Sequence, residues 1–364
     1  MAKQMNLNNY TRKAWIGLSF CFVLLTACQK DNAEPKEPAT VSFPEKSTVT
    51  YGEQLRVPLP EGYGNGGTVQ VDFSADQTKD YVFSDGNTLR QKLVKAARYD
   101  AEQHAIFVDS RLLYPTGTSS ITSAEVLPSQ YIWTVKLSTN LEQDAGLGYL
   151  HVTVDPAAVN IEGAEQDAGT AFAYGLYGEV ESAFALSAME DVKKGADWYL
   201  PVTEFAAVRE GKIVFDASVS ESKGEEETVV NSQPSLVKDG FVVASTPFRM
   251  IFIPKIKYLF GQYYPDLDIT IDYSTVHIGL SNGYLSAAPV FYPDKYKSTF
   301  RLKAVEKNGV PFANSGDIFE VEESSGKVRV KPSENLTAGS YKVYVEAVSS
   351  TGLVFVTTLT LGMS

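Results

Sequence analysis

From Val41 onward, apolar and polar residues exchange places one by one in short runs. Thr68-Val69-Gln70-Val71-Asp72-Phe73, residues 131–137 (YIWTVKL), residues 149–154 (YLHVTV), residues 269–273 (ITIDY) and residues 341–347 (YKVYVEA) all read this way. Successive side chains of a strand point to opposite faces, so a period of two rich in Val, Ile, Thr and Tyr predicts strands with one face buried. Asn65-Gly66, Asn282-Gly283 and Asn308-Gly309 supply the positive-φ dipeptides that tight hairpin turns prefer. Helical periodicity is scarce: residues 87–98 (NTLRQKLVKAAR) predict a turn or two of amphipathic helix, and residues 183–193 fit either state. The pattern predicts an all-β chain with one short helix.

A near-repeat organises the second half. Residues 184–190 (FALSAME) return 116 positions later as residues 300–306 (FRLKAVE), and residues 211–215 (GKIVF) with Ser218 return 115 positions later as residues 326–330 (GKVRV) with Ser333. The match reads as two copies of one unit, or as strand–turn–strand text common to many sheets. Taken as units, the chain divides into residues 41–155, 156–271 and 272–364, three β-sandwich domains.

The last unit is the most legible. Phe300-x-Leu302 and Phe319-x-Val321 are followed by a turn at Ser324-Ser325-Gly326 and by Val328-x-Val330; residues 336–347 (LTAGSYKVYVEA) and a final strand from Leu353 to Leu361 close it. This succession resembles cadherin-like and immunoglobulin-like sandwich domains, which implies tandem sandwiches of that kind for the chain. The calcium-binding motifs of cadherins are absent, so the resemblance carries no metal over.

The N-terminus is of another texture. Lys3, Arg12 and Lys13 precede an apolar run from Ala14 to Thr26, and small residues lead into Cys28. The run is shorter than the roughly 20 residues a membrane-spanning helix needs, and it has the parts of a secretory signal. Leu25-Thr26-Ala27-Cys28 resembles the lipobox of bacterial lipoproteins, which implies cleavage after residue 27 and acylation of Cys28. Residues 29–32 (QKDN) resemble in part the export signal of Bacteroidetes surface lipoproteins. The expectation is a signal peptide over residues 1–27, a lipidated proline-rich stalk over 28–40, and attachment to the outer membrane facing outward through the anchor at Cys28.

Beyond the signal the chain keeps 29 basic against 44 acidic residues, a net of −15. That balance argues against nucleic acid and anionic lipid surfaces as partners. The two cysteines are Cys21, inside the signal, and Cys28, used by the anchor, so no intramolecular disulfide is expected and core burial must hold each domain.

No residue set amounts to an active site, and no cofactor or metal is implied. Gly279-Leu280-Ser281-Asn282-Gly283 has the spacing of a nucleophile elbow, but no helix pattern and no downstream histidine follow it. His104, His151 and His277 are too scattered for a metal set. Asp266, Asp268 and Asp272 read as a solvated turn more readily than as a calcium loop.

Aromatic residues in turn-like contexts are the remaining chemistry: Trp198 and Tyr199, Tyr263 and Tyr264, Tyr292 and Tyr296. Such rings stack on the apolar face of a sugar, or else pack between strands. Anchor, stalk and tandem sandwiches resemble the surface glycan-binding lipoproteins of polysaccharide-utilisation systems. That resemblance implies a non-catalytic binder of extracellular polysaccharide working with an outer-membrane transporter. The alternative is a structural or adhesive module that contacts proteins or host surfaces through its sheet edges.

Overall fold

The computed structural model describes residues 38–63, 67–73, 80–138, 145–176, 182–201, 205–216, 226–280 and 282–364. The chain is all-β, with sandwich units in tandem. In the first unit one sheet runs in the order Ala39–Val41, Ala145–Asp155, Tyr131–Ser138, Val69–Phe73, with Ser47–Thr50 also paired to Ala145–Asp155. The alternation predicted for Tyr131–Leu137 sets Tyr131, Trp133, Val135 and Leu137 inward, all buried. A three-stranded sheet of Gln54–Pro58, Ala105–Asp109 and Ala97–Asp100 belongs to the same unit.

The helix expected within residues 87–98 spans Leu89–Ala96. Thr88 accepts from the Gln91 amide while the Gln91 side chain accepts from the Thr88 amide, a reciprocal cap that fixes its start. Leu89 and Leu93 are fully buried, and Trp133 donates its indole N–H to the Leu93 carbonyl at 3.1 Å. A buried indole needs such an acceptor, so the pair fixes the helix against the sheet.

The middle unit combines the sheet Glu165–Asp167, Thr170–Leu176, Phe248–Ile253, Thr228–Ser232 with the sheet Ala206–Arg209, Lys212–Phe215, Ser182–Ser187, Asn160–Ile161. Phe184, Phe215 and Phe248 meet edge to face between them at 5.2–6.4 Å. Residues 183–193, which fitted either state, divide into the strand Ser182–Ser187 and a single helical turn at Glu190–Lys193. The last unit faces Thr275–Ile278, Val354–Met363, Gly339–Val348, Thr299–Lys307 and Val310–Pro311 against Tyr284–Leu285, Val328–Val330 and Phe319–Val321.

Tyr341, fully buried, donates its hydroxyl proton to the Thr337 carbonyl at 3.0 Å and accepts from the Thr337 amide at 3.1 Å. This is the tyrosine corner of immunoglobulin-like sandwiches, and it explains the Leu-Thr-Ala-Gly-Ser-Tyr text.

The near-repeat is not a repeat of topology. Ser182–Ser187 pairs with Lys212–Phe215 inside one sheet, whereas Thr299–Lys307 and Val328–Val330 lie in opposite sheets. Short alternating strands around a glycine turn suit either arrangement, and the packing on their apolar faces decides.

One continuous buried cluster runs from Val41 to Phe252 through the first two units. The turn Asp239-Gly240, at φ +52° and +82°, carries the middle unit into the first. Ile121 donates its amide to the Gly240 carbonyl at 2.8 Å, Ser84 donates its amide to Asp239 at 2.9 Å, and the Tyr114 hydroxyl also bonds Asp239. Burial pushes the Asp239 carboxyl up, but the bonds from Ser84 and Tyr114 together outweigh it and its pKa lies below the ordinary value. A lowered folded-state pKa contributes stability that is present above the unfolded value and lost as pH falls through the folded one. The melting temperature of the wild type is therefore expected to fall more steeply than that of Asp239→Asn between about pH 5 and pH 2. Parallel curves would assign the acid loss elsewhere.

A second joint ties the last unit on. Ile253, Phe291, Tyr296, Phe300 and Ala347 form a buried cluster against Tyr174, Leu176 and Ile251 of the middle unit. Lys257–Leu259 pairs with Val290–Tyr292, a ladder that crosses the 271/272 division.

Candidate functional site

The hairpin that follows this ladder is where the fold leaves chemistry uncovered. Gly261–Tyr264 pairs antiparallel with Ile269–Asp272, in the register Gly261 to Asp272 and Tyr264 to Ile269. One turn of 3-10 helix, Pro265–Leu267, and Asp268 at φ +47° join the two strands. Side chains directly opposite share a face. Gln262, Tyr264, Ile269 and Ile271 therefore project to one side, continued by Tyr273, and Tyr263 and Thr270 to the other.

The Tyr263 side is the anchored one. The Tyr263 ring lies 5.1 Å from Tyr292 at a tilt of 57°, and the Lys257 ammonium sits 5.0 Å from its centroid. Its hydroxyl donates to Asp268 at 3.0 Å, and Lys257 donates to the same oxygen at 2.9 Å. Those two bonds, Lys257 first, hold the Asp268 carboxyl below its usual range. Tyr263 is thus engaged from several sides and fixes the hairpin to the body.

Among the described residues nothing covers the other side. Tyr264 is 42 % exposed, Leu267 68 %, Ile269 47 %, Ile271 38 % and Tyr273 53 %. The Tyr264 hydroxyl donates to the Gln262 side-chain oxygen at 2.7 Å, which holds the ring along the strand. Scattered exposed apolar residues are ordinary, but four on one face of a short hairpin, with Leu267 exposed at its tip, make an apolar surface of the kind that marks a contact site.

Of the six aromatic residues singled out from the sequence, the structure brings Tyr263 and Tyr292 together, with Tyr264 beside them in the chain but on the opposite face of the hairpin. Trp198 and Tyr199 sit apart in the strand Asp197–Tyr199 of the middle unit, both half-buried, with Trp198 packed on the main core. Tyr296 is buried at the second joint, where its hydroxyl donates to Glu227 at 2.7 Å. Burial and that bond raise the Tyr296 pKa to about 12. Cys28 and Ser281 lie outside the described residues. Leu267, Ile269, Ile271 and Tyr273 were missed as site residues because alternation marks a strand's apolar face without saying what covers it.

A cavity of about 720 Å³ opens between Thr299–Leu302 and Phe319–Glu323. Of its charged lining, Arg301 pairs with Glu346, Arg329 with Glu322 and Glu320 with Lys331, and its rings, Phe300 and Phe319, are buried. Among the described residues no group of three His, Cys, Asp or Glu side chains gathers to hold a metal.

No protein-family model and no curated protein sequence matches the chain. Similar solved structures include Sidekick-1 immunoglobulin domains 1–4, at 11 % identity over 89 % of this chain and 76 % of that one, with a TM-score of 0.27. Extracellular domains 3–5 of Drosophila OTK match at 10 % identity over 89 % and 99 %, TM-score 0.29. Domains EC1–3 of Drosophila N-cadherin match at 10 % identity over 90 % and 99 %, TM-score 0.26. Likeness at that level carries no weight of its own, and the assignment as tandem β-sandwiches rests on the sheets and the tyrosine corner.

Proposed function

We propose that this protein is a non-catalytic surface module, held to the outer membrane by acyl chains on Cys28, that contacts another protein through the 261–273 hairpin. The observation that carries the reading is the uncovered face of Tyr264, Leu267, Ile269, Ile271 and Tyr273. Aliphatic side chains suit burial against a protein, whereas a sugar site wants aromatic planes ringed by hydrogen-bonding groups. The anchor is supported by the lipobox-like residues 25–28.

Capture of a polysaccharide for an outer-membrane transporter is the second reading. One observation favours it: Tyr264 offers an exposed ring beside the Gln262 amide.

Retention of the purified chain on intact cells separates the two. The double variant Ile269→Asp/Ile271→Asp is expected to lower retention by roughly thirtyfold, equivalent to one hot-spot side chain of about 2 kcal/mol, with an unchanged melting temperature. Protease treatment of the cells should abolish the retention and glycosidase treatment should not. The opposite sensitivities, with loss in Tyr264→Ala alone, would transfer the function to polysaccharide capture.

A further inference from the structure

We infer that Ile269–Asp272 is an acceptor edge, which takes an extended, basic-flanked strand of a partner protein as the antiparallel third strand of the hairpin sheet. The inference rests on the protein-contact reading above and names the kind of partner.

The backbone supplies the first argument. Tyr273 donates its amide to the Phe260 carbonyl at 2.9 Å, directly opposite it in the hairpin register. In an antiparallel ladder, residues that bond across the pair alternate with residues that do not. Tyr273, Ile271 and Ile269 therefore direct their main-chain groups at Gly261–Tyr264, and Thr270 and Asp272 direct theirs outward. Among the described residues the sheet has two strands, and all four residues of the outer one are exposed.

The second argument is what this edge lacks. Edge strands are ordinarily blunted by lysine, proline, a bulge or shortness, because open donors and acceptors recruit other chains. Two other edges of this protein are blunted in this way. The strand Thr299–Lys307 breaks its register at Lys303, and its neighbour Val310–Pro311 is two residues long and ends in proline. The outer strand Glu165–Asp167 carries two acids in three residues. Ile269-Thr270-Ile271 is regular and rich in β-branched residues, without lysine, proline or bulge, and its one acid, Asp272, comes at the end of the four-residue strand. Strand addition uses such an edge: main-chain bonds give affinity and alternate side chains give selectivity. Ile269, Ile271 and Tyr273 continue the apolar face on which alternate residues of an added strand would rest.

Charge selects the occupant. Lys257 is taken by Asp268, while the Asp272 carboxylate has the Ser274 amide. Asp272, at the end of the strand, and Asp266, in the turn before it, have no lysine or arginine partner among the described residues. A second copy would set acid against acid in a chain whose formal net charge is −12. A strand with lysine or arginine at its ends meets them with opposite sign.

The test uses the intact mature chain and three peptides: acetyl-Lys-Val-Thr-Val-Thr-Val-Lys-amide, the same peptide with glutamate at both ends, and the lysine peptide N-methylated on alternate residues. Amide hydrogen exchange is read at Thr270 and Asp272, with Ile269 and Ile271, already bonded inside the hairpin, as internal controls. The lysine peptide is expected to slow exchange at Thr270 and Asp272 at least tenfold, and the other two to leave it unchanged. Thr270→Pro removes an outward N–H at a position where an edge tolerates proline. It should abolish the protection with no change in melting temperature, and Thr270→Lys, which leaves the backbone intact, should weaken it. No protection by any peptide up to about 5 mM, weaker than the −4.1 kcal/mol of a millimolar complex, overturns the inference. Equal protection by the N-methylated peptide does the same, as does protection that rises with protein concentration alone, which would make a second copy the occupant. If cell retention depends on Ile269 and Ile271 but is untouched in Thr270→Pro, the contact reading stands and the acceptor edge falls.

Discussion

Replacing Phe241 with alanine is expected to lower stability by about 3–5 kcal/mol and to bring the first two units down in one transition. Phe241 is 3 % exposed and belongs to the middle unit, yet its ring meets Tyr81 and Phe83 at 6.4 Å and Tyr114 at 5.8 Å in the first. Tyr114 in turn stacks on Phe83 at 4.4 Å and bonds Asp239 two residues before Phe241. Truncation would leave a cavity walled by two units at once, and neither can close it without moving against the other. Denaturant unfolding followed by tryptophan fluorescence, with Trp133 in one unit and Trp198 in the other, gives the measurement. Two separated transitions in the variant, or a loss below about 1 kcal/mol, would show that the buried cluster is not cooperative across the joint.

Gly261→Val is expected to dismantle the hairpin and leave the sandwiches standing. A Cβ at Gly261 would fall inside the shell of the Ile271 carbonyl oxygen and 2.8 Å from the Leu259 side chain. The obstacle is backbone of the opposite strand, which cannot swing aside as a side chain can, so Ile269–Asp272 must part from its neighbour. Exchange at the Ile269 and Ile271 amides should then accelerate at least tenfold, and cell retention should drop to that of Ile269→Asp/Ile271→Asp. Because the outer hairpin strand buries little, the melting temperature should shift by only a few degrees. Unaltered exchange would mean that the strand finds room without separating.

These expectations also mark which parts of the molecule the sequence could show. Strand text was legible wherever one face is buried, as in Tyr131–Leu137, and the helix was legible in the amphipathic spacing of residues 87–98, whereas its cap by Thr88 and Gln91 emerged only from the structure. Tyr341 stood out by its neighbours, although its hydroxyl bonds to Thr337 needed coordinates to see. The pairing of strands was not legible: Phe184 and Phe300 sit in near-identical text and in different arrangements, since pairing is decided by what each face packs on. The site was half legible. Tyr263, Tyr264 and Tyr292 stand in turn contexts; Tyr263 and Tyr292 meet at the hairpin, and Tyr264 lies on its opposite face. Trp198 has the same kind of context but lies on the core, because a short run of letters does not say which side of a strand is covered. Ile269 and Ile271 gave the opposite trouble, an ordinary strand pattern whose apolar face is left bare.

The N-terminal strands have a mechanical consequence. Ala39–Val41 and then Ser47–Thr50 run parallel to Ala145–Asp155, in seven register pairs from Ala39 opposite Gly146 to Thr50 opposite Asp155. The chain enters this ladder at one end and leaves it after Asp155 at the other. Tension between an attachment ahead of Pro38 and a load borne further along the molecule therefore pulls the two strands lengthwise past each other. Their hydrogen bonds must give way together in shear, where an antiparallel hairpin pulled at its open end would peel bond by bond. A tether at this terminus pulls on the sheet in its most resistant direction.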